Sequence, residues 1–260
     1  MAAPARQARV RGRSWIWVAV PAALLAAGIA IIDLVPQGPH ALALVATFGT
    51  PVLAAAGGLF RGSPRWWLWP PVAAGLWLAA WLASGLVQDA AGVALIAGAC
   101  LAAASAVATV APAWSIRAGL VSLAALDVVL VWATTGVREA TDALQAVALP
   151  HAAGTPLPSL QQATFGSAVM GWLDLLAPAL LGVVVAGRRK LGAAAVTGLA
   201  AGAWGLLLYV TSEVAATVPV LAGLAFAGAR RSRLRHSLEP ARAGGGSRRD
   251  RRARRRLPRR

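Results

Sequence analysis

Two aspartates interrupt apolar stretches of the sequence in which no charge is expected. Asp174 lies in a run from about residue 165 to 185, and Asp127 lies within 123–132. A carboxylate at membrane depth is costly and usually faces a protein interior, where it carries function. Two carboxylates in contact cannot both ionise cheaply, so they share a proton. One of them can then activate water while the other protonates a peptide carbonyl or leaving amine. That is aspartic protease chemistry, and it needs no metal or cofactor.

The composition is that of a membrane protein. Of the 260 residues, 58% are hydrophobic and 13% are charged, which is about half the charged share of a soluble domain. The charges leave apolar stretches of about 20 residues, the length that spans a bilayer. The single cysteine, Cys100, excludes an intrachain disulfide. The expected fold class is therefore all-α, a polytopic transmembrane helical bundle.

Charged gaps divide the chain into about eight predicted spans. Four lie in the N-terminal region 15–111 and four in the C-terminal region 112–229, which carries both acids. A basic N-terminus (1–14) precedes the spans, and an Arg-rich tail (230–260), expected to be disordered, follows them. The spans are predicted at about 15–35, 41–60, 66–87, 90–110, 118–136, 165–185, 191–211 and 214–229.

The distribution of basic residues predicts the orientation. With eight spans, all of the 25 basic residues except Arg138 fall on one side, which the positive-inside rule makes cytoplasmic. Both termini are then cytoplasmic and the loop 137–162 is exoplasmic, with a short interfacial helix expected at 137–147. The Arg-rich tail carries no interleaved aromatic residue, so anionic lipid headgroups are the expected partner and no nucleic acid is expected. The Ala/Arg-rich composition suggests a bacterial plasma membrane.

The span boundaries also predict the depth of the two acids. Asp127 lies about nine residues before the exoplasmic end of its span, and Asp174 about nine residues after the exoplasmic start of the next. At about 1.5 Å per residue, both lie roughly 13–14 Å below that face. Because the two spans are consecutive and antiparallel, the carboxylates are expected to meet at one level.

The residues around the acids resemble a known family over about 118–229. Leu126-Asp127 looks like the first motif of the presenilin-type intramembrane aspartyl proteases, in which an aromatic residue precedes the acid. Gly171-Trp172-Leu173-Asp174 looks like the second, Gly-x-Gly-Asp. Pro178 matches a proline of the signal peptide peptidase branch, and Val218-Pro219-Val220-Leu221 resembles the third motif, Pro-Ala-Leu. The sequence departs from these motifs at Leu126, Leu173 and Val220.

The resemblance implies a function and a set of site residues. The function is hydrolysis of peptide bonds in transmembrane segments or leftover signal peptides, with Asp127 and Asp174 as the catalytic pair. The residues implied to position substrate are Gly171, Leu173, Pro178, Pro219, Val220 and Leu221. A leucine at position 173 fills the space that a glycine would leave beside the acid.

The two prolines predict local changes in the helices. Pro178 has no N–H to donate to the carbonyl of Asp174. Pro219 restricts Val218 to extended geometry, which predicts a helix break near 213–218. Backbone groups at such a break would line a cavity, where an unfolded substrate segment could pair with them.

Three other interpretations remain open. A prepilin-peptidase-like enzyme also uses a Gly-x-Gly-Asp motif, but it acts at the cytoplasmic face, far from Asp127. A proton-coupled transporter or channel would use intramembrane acids as relays, and it would predict internal repeats that the two halves do not show. A catalytically inactive membrane scaffold would use the aspartates as hydrogen-bond partners between helices.

Overall fold

The computed structural model describes residues 23, 39–60, 69–133, 162–165, 168–185, 189–211 and 213–229. The described chain is mostly helical, with one two-stranded antiparallel sheet. The predicted first span, the interfacial helix 137–147, the basic N-terminus and the Arg-rich tail lie outside these residues, apart from position 23. The helices are α1 (Pro39–Phe60), α2 (Trp69–Leu82), α3 (Leu86–Val110), α4 (Ala113–Ala133), α5 (Trp172–Val184), α6 (Arg189–Gly205) and α7 (Val218–Ala229). The strands are β1 (Gln162–Phe165) and β2 (Ala168–Gly171), and a 3₁₀ turn, Leu206–Tyr209, continues α6.

Three of the described helices are long and apolar enough to cross a membrane. They are Val87–Val110, Ala113–Ala133 and Lys190–Tyr209. Each coincides with a span predicted from hydropathy, and α1 covers the predicted second span. These helices therefore agree with the prediction of a membrane protein. In hydrocarbon the backbone must satisfy its own hydrogen bonds, which is why such apolar stretches form helices.

The boundary between α3 and α4 follows from one proline. Pro112 restricts the preceding residue, and Ala111 is extended (φ −95°, ψ 138°), so α3 ends at Val110. The carbonyl of Pro112 then accepts hydrogen bonds from the N–H groups of Ser115 and Ile116, which starts α4. The fifth predicted span therefore begins five residues earlier than expected.

Two of the predicted spans are wrong in their extent. The third was expected to continue to residue 87, but α2 ends at Leu82, because Gly85 takes a positive φ of 63° that breaks the helix before α3. The sixth was expected to be helical from about residue 165. Instead, β1 and β2 pair from Gln162↔Gly171 to Phe165↔Ala168, and α5 starts only at Trp172. The described chain is therefore mostly helical, as expected, with one short hairpin where a helix was predicted.

The helix that carries Asp174 lies at the centre of the bundle. Eight of the 13 residues of α5 are buried, and α5 packs against α1, α3 and α4. One apolar cluster joins α5 to α1, α3 and β2, and a second joins it to α1, α4, α6 and α7. Both clusters consist mainly of Ala, Val and Leu, so the helices can approach closely. The packing of these side chains fixes the position of α5.

The contact between α1 and α5 depends on glycine. A Cβ atom added at Gly182 would collide with the carbonyl oxygen of Ala54 and lie 2.8 Å from the backbone nitrogen of Gly58. A Cβ added at Gly57 would collide with the carbonyl of Ala179. Small residues of this kind let transmembrane backbones touch, so that dispersion contacts replace the hydrophobic effect as the source of packing energy.

Candidate active site

The helix α4 presents Asp127 toward the bundle along a short stripe. Three of the 21 residues of α4 are buried, namely Ile116, Leu120 and Ala124. They are spaced by four residues, so they lie on one helix face. Asp127, three residues after Ala124, continues this face by one turn and is half-buried. Because α4 packs on α5, this stripe turns the acid toward the helix that carries Asp174.

Asp127 is held by Thr217, 90 residues away in sequence. Its Oδ2 atom accepts a hydrogen bond from the backbone N–H of Thr217 at 3.0 Å. The same oxygen accepts a second bond from the Thr217 hydroxyl at 2.6 Å. Thr217 is 2% exposed, so both bonds lie in a protected environment. The 2.6 Å separation lies in the range of hydroxyl donors to a charged oxygen.

The backbone N–H of Thr217 can donate to Asp127 because the helical conformation is interrupted at this residue. Residues 213–217 are not helical, and α7 starts at Val218, with Pro219 in its first turn. This confirms the predicted helix break for 213–217, but Val218, which was expected to be extended, is already the first residue of α7. Thr217 is the N-cap residue of α7, and its carbonyl accepts a bond from the N–H of Val220 at 3.1 Å. The first N–H groups of a helix lack partners within the helix, and Asp127 supplies one.

Asp174 makes the corresponding bond within its own helix. It is the third residue of α5, and its Oδ2 atom accepts a hydrogen bond from the N–H of Gly171 at 3.0 Å. An acid that reaches back to the N-cap N–H is one half of a capping box. The expectation that Asp174 lies about nine residues inside a helical span is wrong, because β2 replaces that part of the helix.

The two acids lie close enough for their charges to interact, since Asp127 contributes to the electrostatic environment of Asp174. Among the described residues, the hydrogen bonds to both carboxylates use Oδ2. Within the described part of the chain, Oδ1 of each acid therefore accepts no hydrogen bond. Both carboxylates sit at helix N-termini, where the helix dipole favours negative charge.

The residues implied to position substrate fall into two groups. Leu173 is 38% exposed, and Gly171 is half-buried beside the acid that it binds. The side chains of Pro178, Pro219 and Val220 are buried and Leu221 is half-buried. Val220 packs in the second apolar cluster with Leu181. The side chain of Leu173 is thus accessible at the acid, whereas Val220 belongs to the packed interior.

The structure adds two contacts that the motifs do not indicate. Thr217 was not singled out from the sequence, although it is a polar residue two positions before the proline of an interrupted apolar run. Cys100 of α3 donates from its thiol to the carbonyl oxygen of Trp172 at 3.4 Å, which ties α3 to the first residue of α5. Among the described residues, no group of three or more His, Cys, Asp or Glu could hold a metal ion.

Comparison with known proteins gives no match: no protein-family model matches the chain, and no curated protein or solved structure is significantly similar to it.

Proposed function

We propose that this chain is an intramembrane aspartyl protease, a divergent relative of the signal peptide peptidase and presenilin-type enzymes. The observation that carries the proposal is the pair of acids, Asp127 on α4 and Asp174 on α5, which lie on adjacent packed helices within electrostatic range. The order and spacing of the surrounding motifs support it. The proposed setting is a bacterial plasma membrane, with eight spans and both termini cytoplasmic.

The proposed reaction is hydrolysis of a peptide bond in a transmembrane segment or a leftover signal peptide. One carboxylate activates water for attack on the peptide carbonyl carbon, and the other protonates the carbonyl oxygen. The carbonyls of an intact helix are shielded, so the substrate must be extended near the acids. The hairpin β1–β2 ends one residue before α5, and the outer edge of a strand is a surface with which an extended peptide can pair.

The decisive experiment compares three variants in liposomes with an apolar transmembrane peptide as substrate. We expect Asp127→Asn, Asp174→Asn and the double variant each to abolish cleavage to about the same extent, because members of one catalytic unit are not additive. Folding should survive, since an amide removes a charge cost and keeps a hydrogen-bonding group. Mass spectrometry of the peptide products measures the outcome.

The matched control is Asp89→Asn, which changes an acid in the first turn of α3 and should leave cleavage intact. Full cleavage by either single variant of the pair would refute the protease proposal. A transporter would lose ion flux in the same variants without any cleavage to lose. A scaffold would lose helix association, which a thermal unfolding measurement on the same samples detects.

A further inference from the structure

We propose that Thr217 is a positioning residue that holds Asp127 as the ionised member of the acid pair, so that Asp127 is the base and Asp174 the acid. The catalytic roles rest on the proposed protease function. The charge assignment rests on the hydrogen bonds at the two carboxylates.

The first support is the arrangement of donors around one oxygen. Oδ2 of Asp127 accepts both the N–H and the hydroxyl of Thr217, at 3.0 and 2.6 Å. Because donors occupy both lone-pair directions of Oδ2, a proton on Asp127 would have to lie on Oδ1. Hydrogen bonds to the charged form of a carboxylate favour that form. Thr217 therefore fixes the position of Asp127 and stabilises its negative charge.

The second support is the helix that begins at this point. Thr217 is the N-cap of α7, so the positive end of the α7 dipole is directed at the carboxylate of Asp127. Asp174 lies at the start of α5 in a comparable way, but among the described residues it receives a single N–H, that of Gly171. Two negative charges near one another repel, which favours one proton on the pair. The shared proton therefore belongs on the acid with fewer donors, which is Asp174.

These assignments give a balanced sequence of proton transfers. Asp127 takes a proton from water as the water oxygen bonds to the peptide carbonyl carbon, and Asp174 gives its proton to the carbonyl oxygen. As the C–N bond of the tetrahedral intermediate breaks, Asp127 returns its proton to the leaving nitrogen. Asp174 recovers a proton from a hydroxyl of the intermediate. One water is consumed, and both acids end in their starting states.

The first test measures charge directly and does not depend on activity. Infrared difference spectra of the full chain in liposomes at pH 7 compare the unmodified protein with Asp127→Asn and with Asp174→Asn. We expect Asp127→Asn to remove an ionised carboxylate band and Asp174→Asn to remove the carbonyl band of a protonated acid. The reverse pattern would overturn the assignment, whether or not any peptide is cleaved.

The second test uses substitutions at Thr217. Thr217→Val keeps the shape and the N–H but removes the hydroxyl, and we expect kcat to fall about ten- to a hundredfold, as for loss of one hydrogen bond to a charged group. KM should change less than about threefold, and the Asp127 carboxylate band should shift. Thr217→Ser restores the hydroxyl and should recover kcat to within about threefold of the unmodified protein.

Thr197→Val is the control, because Thr197 is equally buried but its hydroxyl donates to the Ala193 carbonyl at 2.8 Å, within α6. It should leave both kcat and the infrared bands unchanged. If Thr217→Val matches the unmodified protein in kcat and spectrum, Thr217 has no positioning role and the protease proposal stands. If no preparation cleaves peptide while the bands behave as expected, the protease proposal falls and the charge assignment stands.

Discussion

Asp174 and Asp127 each accept a hydrogen bond from the N–H of a helix N-cap residue, but the two donors lie at very different distances along the chain. Each receives an N-cap N–H on Oδ2 at 3.0 Å. For Asp174 the donor is three residues away, on a helix with eight of 13 residues buried. For Asp127 the donor is 90 residues away, and its helix has three of 21 residues buried. The geometry of Asp174 therefore depends on the local fold of α5 and the packing around it. That of Asp127 depends on α7 docking against α4.

Overpacking the centre should have the largest effect. Gly182→Leu places a side chain against the carbonyl of Ala54, and we expect it to destabilise the fold by about 3 kcal/mol or more, the upper range for inserted core atoms. It should also displace α5 and abolish cleavage. Reversible unfolding in mixed detergent micelles measures the change.

The matched variant on the other helix is Gly119→Leu. A Cβ added at Gly119 meets no atom within 4 Å, and leucine is the better helix former. Its stability should be unchanged or slightly higher. If Gly182→Leu and Gly119→Leu lowered the unfolding free energy to a comparable extent, α5 would not be more central than α4.

Truncation at equivalent leucines should give an intermediate effect. Leu181 of α5 is 0% exposed and Leu126 of α4 is 54% exposed. Leu181→Ala leaves a cavity, but lipid is as apolar as leucine, so mainly the packing part of the usual cost remains, about 1–3 kcal/mol. Leu126→Ala should change the unfolding free energy by less than about 0.5 kcal/mol. A larger decrease in the unfolding free energy for Leu126→Ala would mean that α4 is packed as tightly as α5.

Restoring a backbone bond beside Asp174 should change stability less than overpacking at Gly182 or truncation at Leu181. Pro178→Ala supplies an N–H for the carbonyl of Asp174, but it removes ring atoms of a buried side chain. The two changes oppose one another, so we expect the unfolding free energy to move by less than about 1 kcal/mol. Slower amide hydrogen exchange at Ala177 and Ala179 would report the more rigid helix. Unchanged or faster exchange there would show that Pro178 does not loosen α5.

The sequence predicts the long helices well and the surroundings of the acids only in part. Hydropathy identifies α3, α4 and α6, and Pro219 predicts the break before α7. The same hydropathy misreads β1 and β2, because an apolar strand and an apolar helix look alike over a few residues. The Gly166-Ser167 dipeptide between them is a hairpin signal that could have been used. The bond between Asp127 and Thr217 joins residues 90 apart, so no local pattern contains it.

The length of α5 bears on the supply of water to Asp174. At about 1.5 Å per residue, α5 with 13 residues is roughly 20 Å long, against about 30 Å of hydrocarbon in a typical bilayer. The hairpin before α5 has strand edges that hydrocarbon cannot solvate. A short apolar element favours local thinning of the bilayer. We therefore expect the interface to lie closer to Gly171 and Asp174 than in an undeformed bilayer, which would shorten the path of water to the acid in the proposed reaction.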